Sequence, residues 1–333
     1  MVEVAGGTEY SGTKSKSRAR RILAHENTIT GIVLAALVAV LGGISRGVTV
    51  APDNIANILL QSSIRGVVAV GQAFVILTAN IDLAVSGIGV MTMMLGGTMM
   101  TGGEWNHLGF QATPLMAIPA MLAVGACWGL FSGALVSRLN IPALIATFGV
   151  WQIGYGIGFL LTNGEALTDL PQSMTVYGEL PAAPIIFFSV AAVAYMVLGY
   201  TTFGRNIYAV GGNPVSSFLS GINVRRTYLA VFAISGVLSG LGGTMMLSRG
   251  MAASIEALRG LEMDTIASCT IGGISLFGGQ GNIIGVVLGT LIIGVINNAM
   301  SVMHMGHAGR YVIKGAIIIG AVAADIIRRR QHA

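Results

Sequence analysis

From Thr28 onward the chain alternates long apolar runs with short polar or glycine-rich interruptions. The runs fall near 28–44, 58–80, 83–101, 114–136, 142–161, 184–200, 227–247, 264–279, 281–301 and 311–327. A helix needs about 20 mostly apolar residues to cross a hydrocarbon core, so the pattern predicts about ten transmembrane helices. The period-two alternation of a membrane barrel is missing, and backbone polar groups in lipid must be satisfied within their own segment. The predicted fold class is therefore all-α, a polytopic membrane protein. Residues 1–26 are polar, with Lys14, Lys16, Arg18, Arg20 and Arg21 in a Ser- and Gly-rich setting that predicts a disordered cytosolic tail. That polar lead is long and no small-x-small site follows the first run, so 28–44 is expected to be an uncleaved anchor rather than a signal peptide. Residues 27–327 form the predicted transmembrane domain, and 328–333 a second basic tail.

Charge sets the expected orientation. With both termini in the cytosol, twelve basic residues lie inside: the five of the leading tail, Arg138, Arg205, Arg225, Arg226 and Arg328, Arg329 and Arg330. Four lie outside (Arg46, Arg249, Arg259, Arg310), while Arg65 and Lys314 fall within runs. This satisfies the positive-inside rule, and the reverse topology violates it. Asp53, Glu104, Glu165, Asp169, Glu179, Glu256 and Glu262 fall outside in the same arrangement.

Composition narrows the function classes. Apolar residues make up 54% and charged residues 9% of the chain, against about 25% charged in soluble domains, so little remains for a soluble domain or a nucleic-acid surface. Cys127 and Cys269 each sit inside an apolar run, which predicts two small buried hydrophobes and neither a disulfide nor a metal site. No Gly-x-x-x-x-Gly-Lys-Ser/Thr loop is present, so any use of ATP and Mg belongs to another polypeptide. No nucleophile, acid/base pair or ligand cluster stands at a useful spacing, and the chain is expected to be no enzyme and to carry no cofactor.

Two interruptions break the helical pattern strongly: LTANIDLAVSG, Leu77 to Gly87, and IGGISLFGGQGNIIG, Ile271 to Gly285. Each carries an Ile-x-Leu triplet followed by a glycine. Corresponding breaks in two halves are what an internal repeat of a transporter would show, with irregular backbone lining a cavity; two tight cytosolic turns are the alternative. A third feature is the polar island GRNIYAVGGNPVSSFLSGINVRR, Gly204 to Arg226. Asn213 suits an N-cap, Pro214 the first helical position and Gly221 the residue beyond the end, which predicts a two-turn helix. Such a helix cannot hold itself together in water. It is expected to dock between neighbouring spans, with Phe218 and Leu219 offered to a partner; an ordinary solvated connection is the alternative.

The island, the following AISGVLSGLGGTMMLSR, the early NILLQSSIRGVVAVGQAFVILTANIDLAVSG and the late IGGISLFGGQGNIIGVVLGTLIIGVINNAMSVM together resemble the permeases of bacterial ABC importers of the ribose type. The resemblance covers residues from about 50 to 327. It implies an inner-membrane translocation subunit that pairs with a second permease. A cytosolic ATPase would grip the coupling loop 201–226, and an extracytoplasmic binding protein would deliver a monosaccharide or small polyol. Gly204, Ala209, Gly211, Asn213, Gly221 and Ile222 match the family's coupling-loop pattern, and Pro214, Ser217, Phe218 and Leu219 lie within the same helix. Two departures stand out. Val215, Ser216 and Ser217 replace a Glu-Ala-Ala cluster, and Ala79, Asn80, Ile81, Asp82, Leu83 and Ala84 stand where relatives often read Gly-Gly-Ile-Asp-Leu-Ser. A stand-alone carrier or channel, and a permease for a nucleoside or sugar-like signal, are the competing functions.

Asp82 is expected to be the one acid inside the spans away from their ends, apart from Asp325. A charge at membrane depth is a functional candidate by default, either as a proton relay or as the hydrogen-bonded support of a break. Gln72, Asn80, Asp82, Trp151, Asn297 and Asn298 are the candidates for a solute pathway, since sugar hydroxyls need amide partners and aromatic faces. Gln152 shares this character. Polar side chains also hold helices together in lipid, which is the competing role for each. His304 and His307 lack an acid or thiol nearby and are not expected to bind metal. The run MTMMLGGTMM reads as membrane filling. Small residues in SGVLSGLGG, Ser235 to Gly243, predict close packing of that span on another helix.

Overall fold

The computed structural model describes residues 12–332, with side chains from Asn27 to Gly306 and most of those between 308 and 326. Among the described residues there are twelve α-helices: α1 (Gly12–Ile44), α2 (Pro52–Leu77), α3 (Val85–Met100), α4 (Pro114–Ser137), α5 (Ala143–Thr162), α6 (Ala182–Tyr200), α7 (Thr202–Gly212), α8 (Pro214–Leu219), α9 (Val224–Gly250), α10 (Leu261–Ile271), α11 (Ile283–Val302) and α12 (His307–His332). The only strand-like pairing among the described residues is an isolated bridge between Leu167 and Ala253. Among the described residues seven helices are long and apolar enough to cross a membrane: α2, α4, α5, α6, α9, α11 and the 27–44 part of α1. The protein is thus a helical polytopic membrane protein. Part of the leading tail, 1–11, lies outside the described residues. Across 12–26, where an irregular tail is expected, α1 already runs as helix; residues 13–26 contain neither Pro nor Gly, and Lys, Arg, Ala and Glu among them favour helix.

One predicted span is corrected in kind. The run 264–279 is not one helix, because α10 stops at Ile271 after 11 residues, about 16 Å at 1.5 Å per residue. The chain from Gly272 to Asn282 is irregular instead. Gly273, Gly278, Gly279 and Gly281 there have φ of 85°, 79°, 73° and 130°, backbone that a side chain with a Cβ adopts at a cost.

α2 lies at the centre: from Ser62 to Leu77 every residue except Arg65 is buried. α6, α9, α10 and α11 pack around it, while α4, α5 and the far side of α6 turn apolar faces outward. In a membrane those faces meet lipid or another subunit. The most extensive helix pair is α4 against α9, and small residues make it close. A β-carbon added to Gly240 would stand 3.0 Å from the Met121 carbonyl oxygen, and one added to Gly236 would strike the Gly125 carbonyl. The small-residue stripe 235–243 therefore brings two backbones nearly into contact.

Cys269 is buried, but Cys127 is exposed on α4, contrary to the expectation of burial. Position 127 lies on the outward side of a helix whose buried stripe runs through Met121, Gly125, Gly129, Ser132 and Gly133. A small, weakly polar thiol facing lipid has no burial to gain.

Candidate functional site

The first break, residues 78–84, connects α2 to α3 through buried backbone. Asp82 is fully buried. Its Oδ1 accepts from the Ala84 N–H at 2.9 Å and its Oδ2 from the Ser235 hydroxyl of α9 at 2.7 Å. Gln72, also fully buried, donates its side-chain amide to the Asp82 carbonyl at 3.0 Å and accepts from the Asp82 N–H at 3.2 Å. On the other side, Thr147 Oγ1 of α5 accepts from the Leu83 N–H at 3.0 Å, and its hydroxyl proton lies between the Ala143 carbonyl of its own helix at 2.8 Å and the Ile81 carbonyl at 3.3 Å. Asn80 turns its amide back onto Thr78, at 3.0 Å to the carbonyl and 3.1 Å to Oγ1. Trp151 donates its ring N–H to Ser86 Oγ at 2.9 Å and stacks on Phe148. The bare backbone of the break, which lipid could not satisfy, is thus held by side chains from three helices. Ala79 sits in the left-handed region at φ 60°, where glycine is normally favoured.

The second break, residues 272–282, runs directly against the first. The Gly279 N–H donates to the Leu77 carbonyl at 2.9 Å, so the last turn of α2 is bonded to the loop after α10. A β-carbon on Gly278 would lie 2.6 Å from the Ala79 nitrogen and 2.8 Å from the Ala79 β-carbon. The same place receives the end of α7: a β-carbon on Gly211 would collide with the Leu77 carbonyl oxygen and stand 2.6 Å from the Gly279 nitrogen. From the middle of α7, Tyr208 donates its hydroxyl to the Gly281 carbonyl at 3.0 Å. Three segments far apart in sequence therefore cross with backbone touching backbone.

From this crossing the chain leads straight into α8. Asn213 is extended (φ −160°), and its Oδ1 accepts from the Ser216 N–H at 2.9 Å. Pro214 opens the helix, Leu219 ends it, and Gly221 follows at φ 84°, as a helix closed by a left-handed glycine requires. Val215, Phe218 and Leu219 are 67%, 69% and 80% exposed, an apolar triplet in open view. Ser217 is buried beneath them, and its carbonyl accepts from the Ile222 N–H at 3.0 Å. Ala209 accepts from the Asn213 N–H at 3.0 Å, tying the end of α7 to the cap of α8. Gly204 lies in the first turn of α7 against α6, where a β-carbon would strike the Leu198 carbonyl. Arg205, Arg225 and Arg226 are the charged residues of 201–226, which contains no acid.

The sequence gives no warning of α7 as a helix, because its glycines read as loop. The available signal was Thr201, whose Oγ1 accepts from the Gly204 N–H at 3.1 Å, followed by Phe203, Ile207 and Val210 at helical spacing.

The six pathway candidates separate into groups. Gln72, Asn80 and Asp82 gather at the first break, and Trp151 of α5 reaches Ser86 in the first turn of α3 just beyond it. Asn297 and Asn298 lie elsewhere: Asn298 pairs reciprocally with Asn54 at 2.8 and 2.9 Å, and Asn297 donates to Asp264 at 3.2 Å. Asp264 corrects the expectation that Asp82 is the one acid within the spans. It is 5% exposed, and it bonds Arg65 of α2 at 3.3 Å and Lys314 of α12 at 2.8 Å. In the sequence it stands at the first position of its predicted run, where acids are usually wet. The side chains of His307 and Asp325 lie outside the described residues. Among the described residues no group of three His, Cys, Asp or Glu could hold a metal.

A helical membrane protein with two buried chain breaks joined to a short projecting helix belongs to the class of membrane permeases. Residues 54–322 match the family model described as branched-chain amino acid transport system / permease component, and the chain belongs to that family. It is 37% identical over 282 residues to the ribose import permease protein of Haemophilus influenzae, covering 82% of this chain and 85% of the relative. It is 36% identical over 302 residues to the D-allose transport system permease protein of Escherichia coli, covering 89% and 90%. Against the galactose/methyl galactoside import permease protein of Escherichia coli the identity is 34% over 293 residues, covering 83% and 87%. No solved structure matches.

Proposed function

We propose that this chain is the translocation subunit of a binding-protein-dependent ABC importer for a monosaccharide in a bacterial inner membrane. It has ten membrane segments and cytosolic termini, and it performs no covalent chemistry itself. Each of the three relatives is a permease or import protein for a sugar, which supports the solute class. Two permease subunits, identical or sister chains, enclose the path; a separate ATPase binds ATP and Mg; a binding protein delivers the sugar to the outer face. The observation that carries the reading is the backbone crossing of Gly211, Leu77 and Gly279 behind α8. A push on α8 has no compliant side chain to absorb it before it reaches both breaks, so closure of the ATPase pair moves the ends of α2 and α10 together. The breaks correspond to one another as halves of an internal repeat. Phe218, Leu219 and Val215 seat in the ATPase, and the glutamate missing from α8 leaves this contact apolar.

The test is uptake of labelled D-ribose, D-allose, D-galactose and D-xylose into proteoliposomes containing the chain with and without an ATPase and binding protein from the same bacterium. Uptake of at least one sugar is expected only with both partners and hydrolysable ATP; uptake by the lone chain without ATP would overturn the reading. Phe218→Cys, in a chain lacking Cys127 and Cys269, is expected to react with an impermeant maleimide only from the cytosolic side.

A further inference from the structure

The polar groups that sequence reading singled out sit mainly at the breaks, yet another row of polar side chains runs along α2 and is used by none of the roles above. Asn57, Gln61 and Arg65 are spaced four residues apart, so they stand one above another on one face of the helix. They are joined head to tail. Gln61 Nε2 donates to Asn57 Oδ1 at 3.2 Å, and an Arg65 guanidinium N–H donates to Gln61 Oε1 at 3.3 Å. Arg249, at the last turn of α9, donates to Asn57 Oδ1 at 2.9 Å and closes one end of the row. Asp264, held by Arg65 and Lys314, closes the other. The row runs from Asn57, near the start of α2, to Arg65 at its middle, a rise of eight steps or about 12 Å.

Asn57, Gln61, Arg65, Arg249 and Lys314 are all half-buried, whereas Ser62, Ser63 and Ile64, between Gln61 and Arg65 on the other sides of α2, are buried. Half-open amides and guanidinium groups at membrane depth cannot face lipid; they face water or another protein surface. The guanidinium of Arg65 has five N–H donors and uses two in these bonds, one to Gln61 and one to Asp264. Arg65 and Lys314 share the single carboxylate of Asp264 and Arg249 adds a third cation at the other end, so the row is rich in donors and repels cationic solutes. Planar amides and guanidinium groups with donors to spare suit a ring of hydroxyls, each of which accepts as well as donates.

We propose that the Asn57–Gln61–Arg65 row, between Arg249 and Asp264, is the outer half of the solute path and contacts the hydroxyls of a neutral sugar as it passes. This rests on the importer reading. Two measurements on the complete importer in proteoliposomes test it. In a background of Cys127→Ser and Cys269→Ser, Asn57→Cys and Gln61→Cys are expected to react with a charged, impermeant methanethiosulfonate added outside. Ser63→Cys, buried on the same helix, and Val193→Cys, outward on α6, are expected to stay unreactive. Asn57→Ala and Gln61→Ala are each expected to lower the amount of labelled sugar moved per ATP hydrolysed by about three- to tenfold, the loss of one hydrogen bond in the path. Wild-type sugar per ATP in both alanine variants, or no labelling at 57 and 61 in a transport-competent complex, overturns this inference and leaves the importer reading intact. Failure of the unmodified complex to move any of the four sugars overturns the importer reading, and this inference with it.

Discussion

Gly211→Ala is the sharpest test of the backbone crossing. The added β-carbon collides with the Leu77 carbonyl oxygen and stands 2.6 Å from the Gly279 nitrogen, both main-chain atoms that cannot swing aside. Overpacking of this kind costs about 1–3 kcal/mol. Relief by separating the segments breaks the 2.9 Å bond from Gly279 to Leu77 and adds about 1 kcal/mol. A junction weakened by about 2–4 kcal/mol shifts a two-state equilibrium by roughly thirty- to a thousandfold, enough to disconnect α8 from the breaks. The assay is ATP hydrolysis and sugar uptake measured together in proteoliposomes. ATP hydrolysis is expected to persist while uptake per ATP falls at least tenfold. Gly212→Ala is the control: its β-carbon would meet nothing within 4 Å, and in a helix it changes stability by less than about 1 kcal/mol. Equal damage from both substitutions, or normal uptake in Gly211→Ala, refutes the reasoning.

Four further outcomes are expected. Ser235→Ala removes the hydroxyl donated to the buried Asp82 carboxylate and lowers the stability of the detergent-solubilised protein by about 1–3 kcal/mol, read as a shift in thermal unfolding. Asp264→Asn leaves Arg65 and Lys314 without their counter-charge and costs about 3–5 kcal/mol; adding Lys314→Met recovers part of it, and thermal unfolding of the double variant decides. Gly221→Ala places a β-carbon on a left-handed residue at about 1–2 kcal/mol, so ATPase binding weakens in a pull-down while the membrane domain melts normally. Ala79→Gly relaxes the same kind of backbone at φ 60° and raises the unfolding temperature, with about 1 kcal/mol gained.

Membrane embedding and helical class are legible in the sequence because lipid permits few solutions. The cap, proline and closing glycine of α8 are legible for the same reason: each answers a local backbone need. The breaks are visible as glycine-rich text, but their contact is not, since the bond from Gly279 to Leu77 joins residues about 200 apart and leaves no local trace. The polar candidates show how composition misleads at membrane depth. Gln72 and Asp82 stand out as polar letters among apolar ones, yet their side chains are spent on the backbone beside them. Arg65 and Asp264 drew less notice and form the more connected centre. Which helix face is open, and to what, depends on neighbours that no single segment encodes.

The crossing at Gly211, at the end of α7, is main chain against main chain, and the outward side chains of the α8 that follows it take no part in it. Under the proposed docking of an ATPase, Val215, Phe218 and Leu219 could be exchanged to fit a different partner while the crossing behind them stays as it is. On that reading the plug is separate from the wiring, and a change in the one would leave the stroke carried by the other intact.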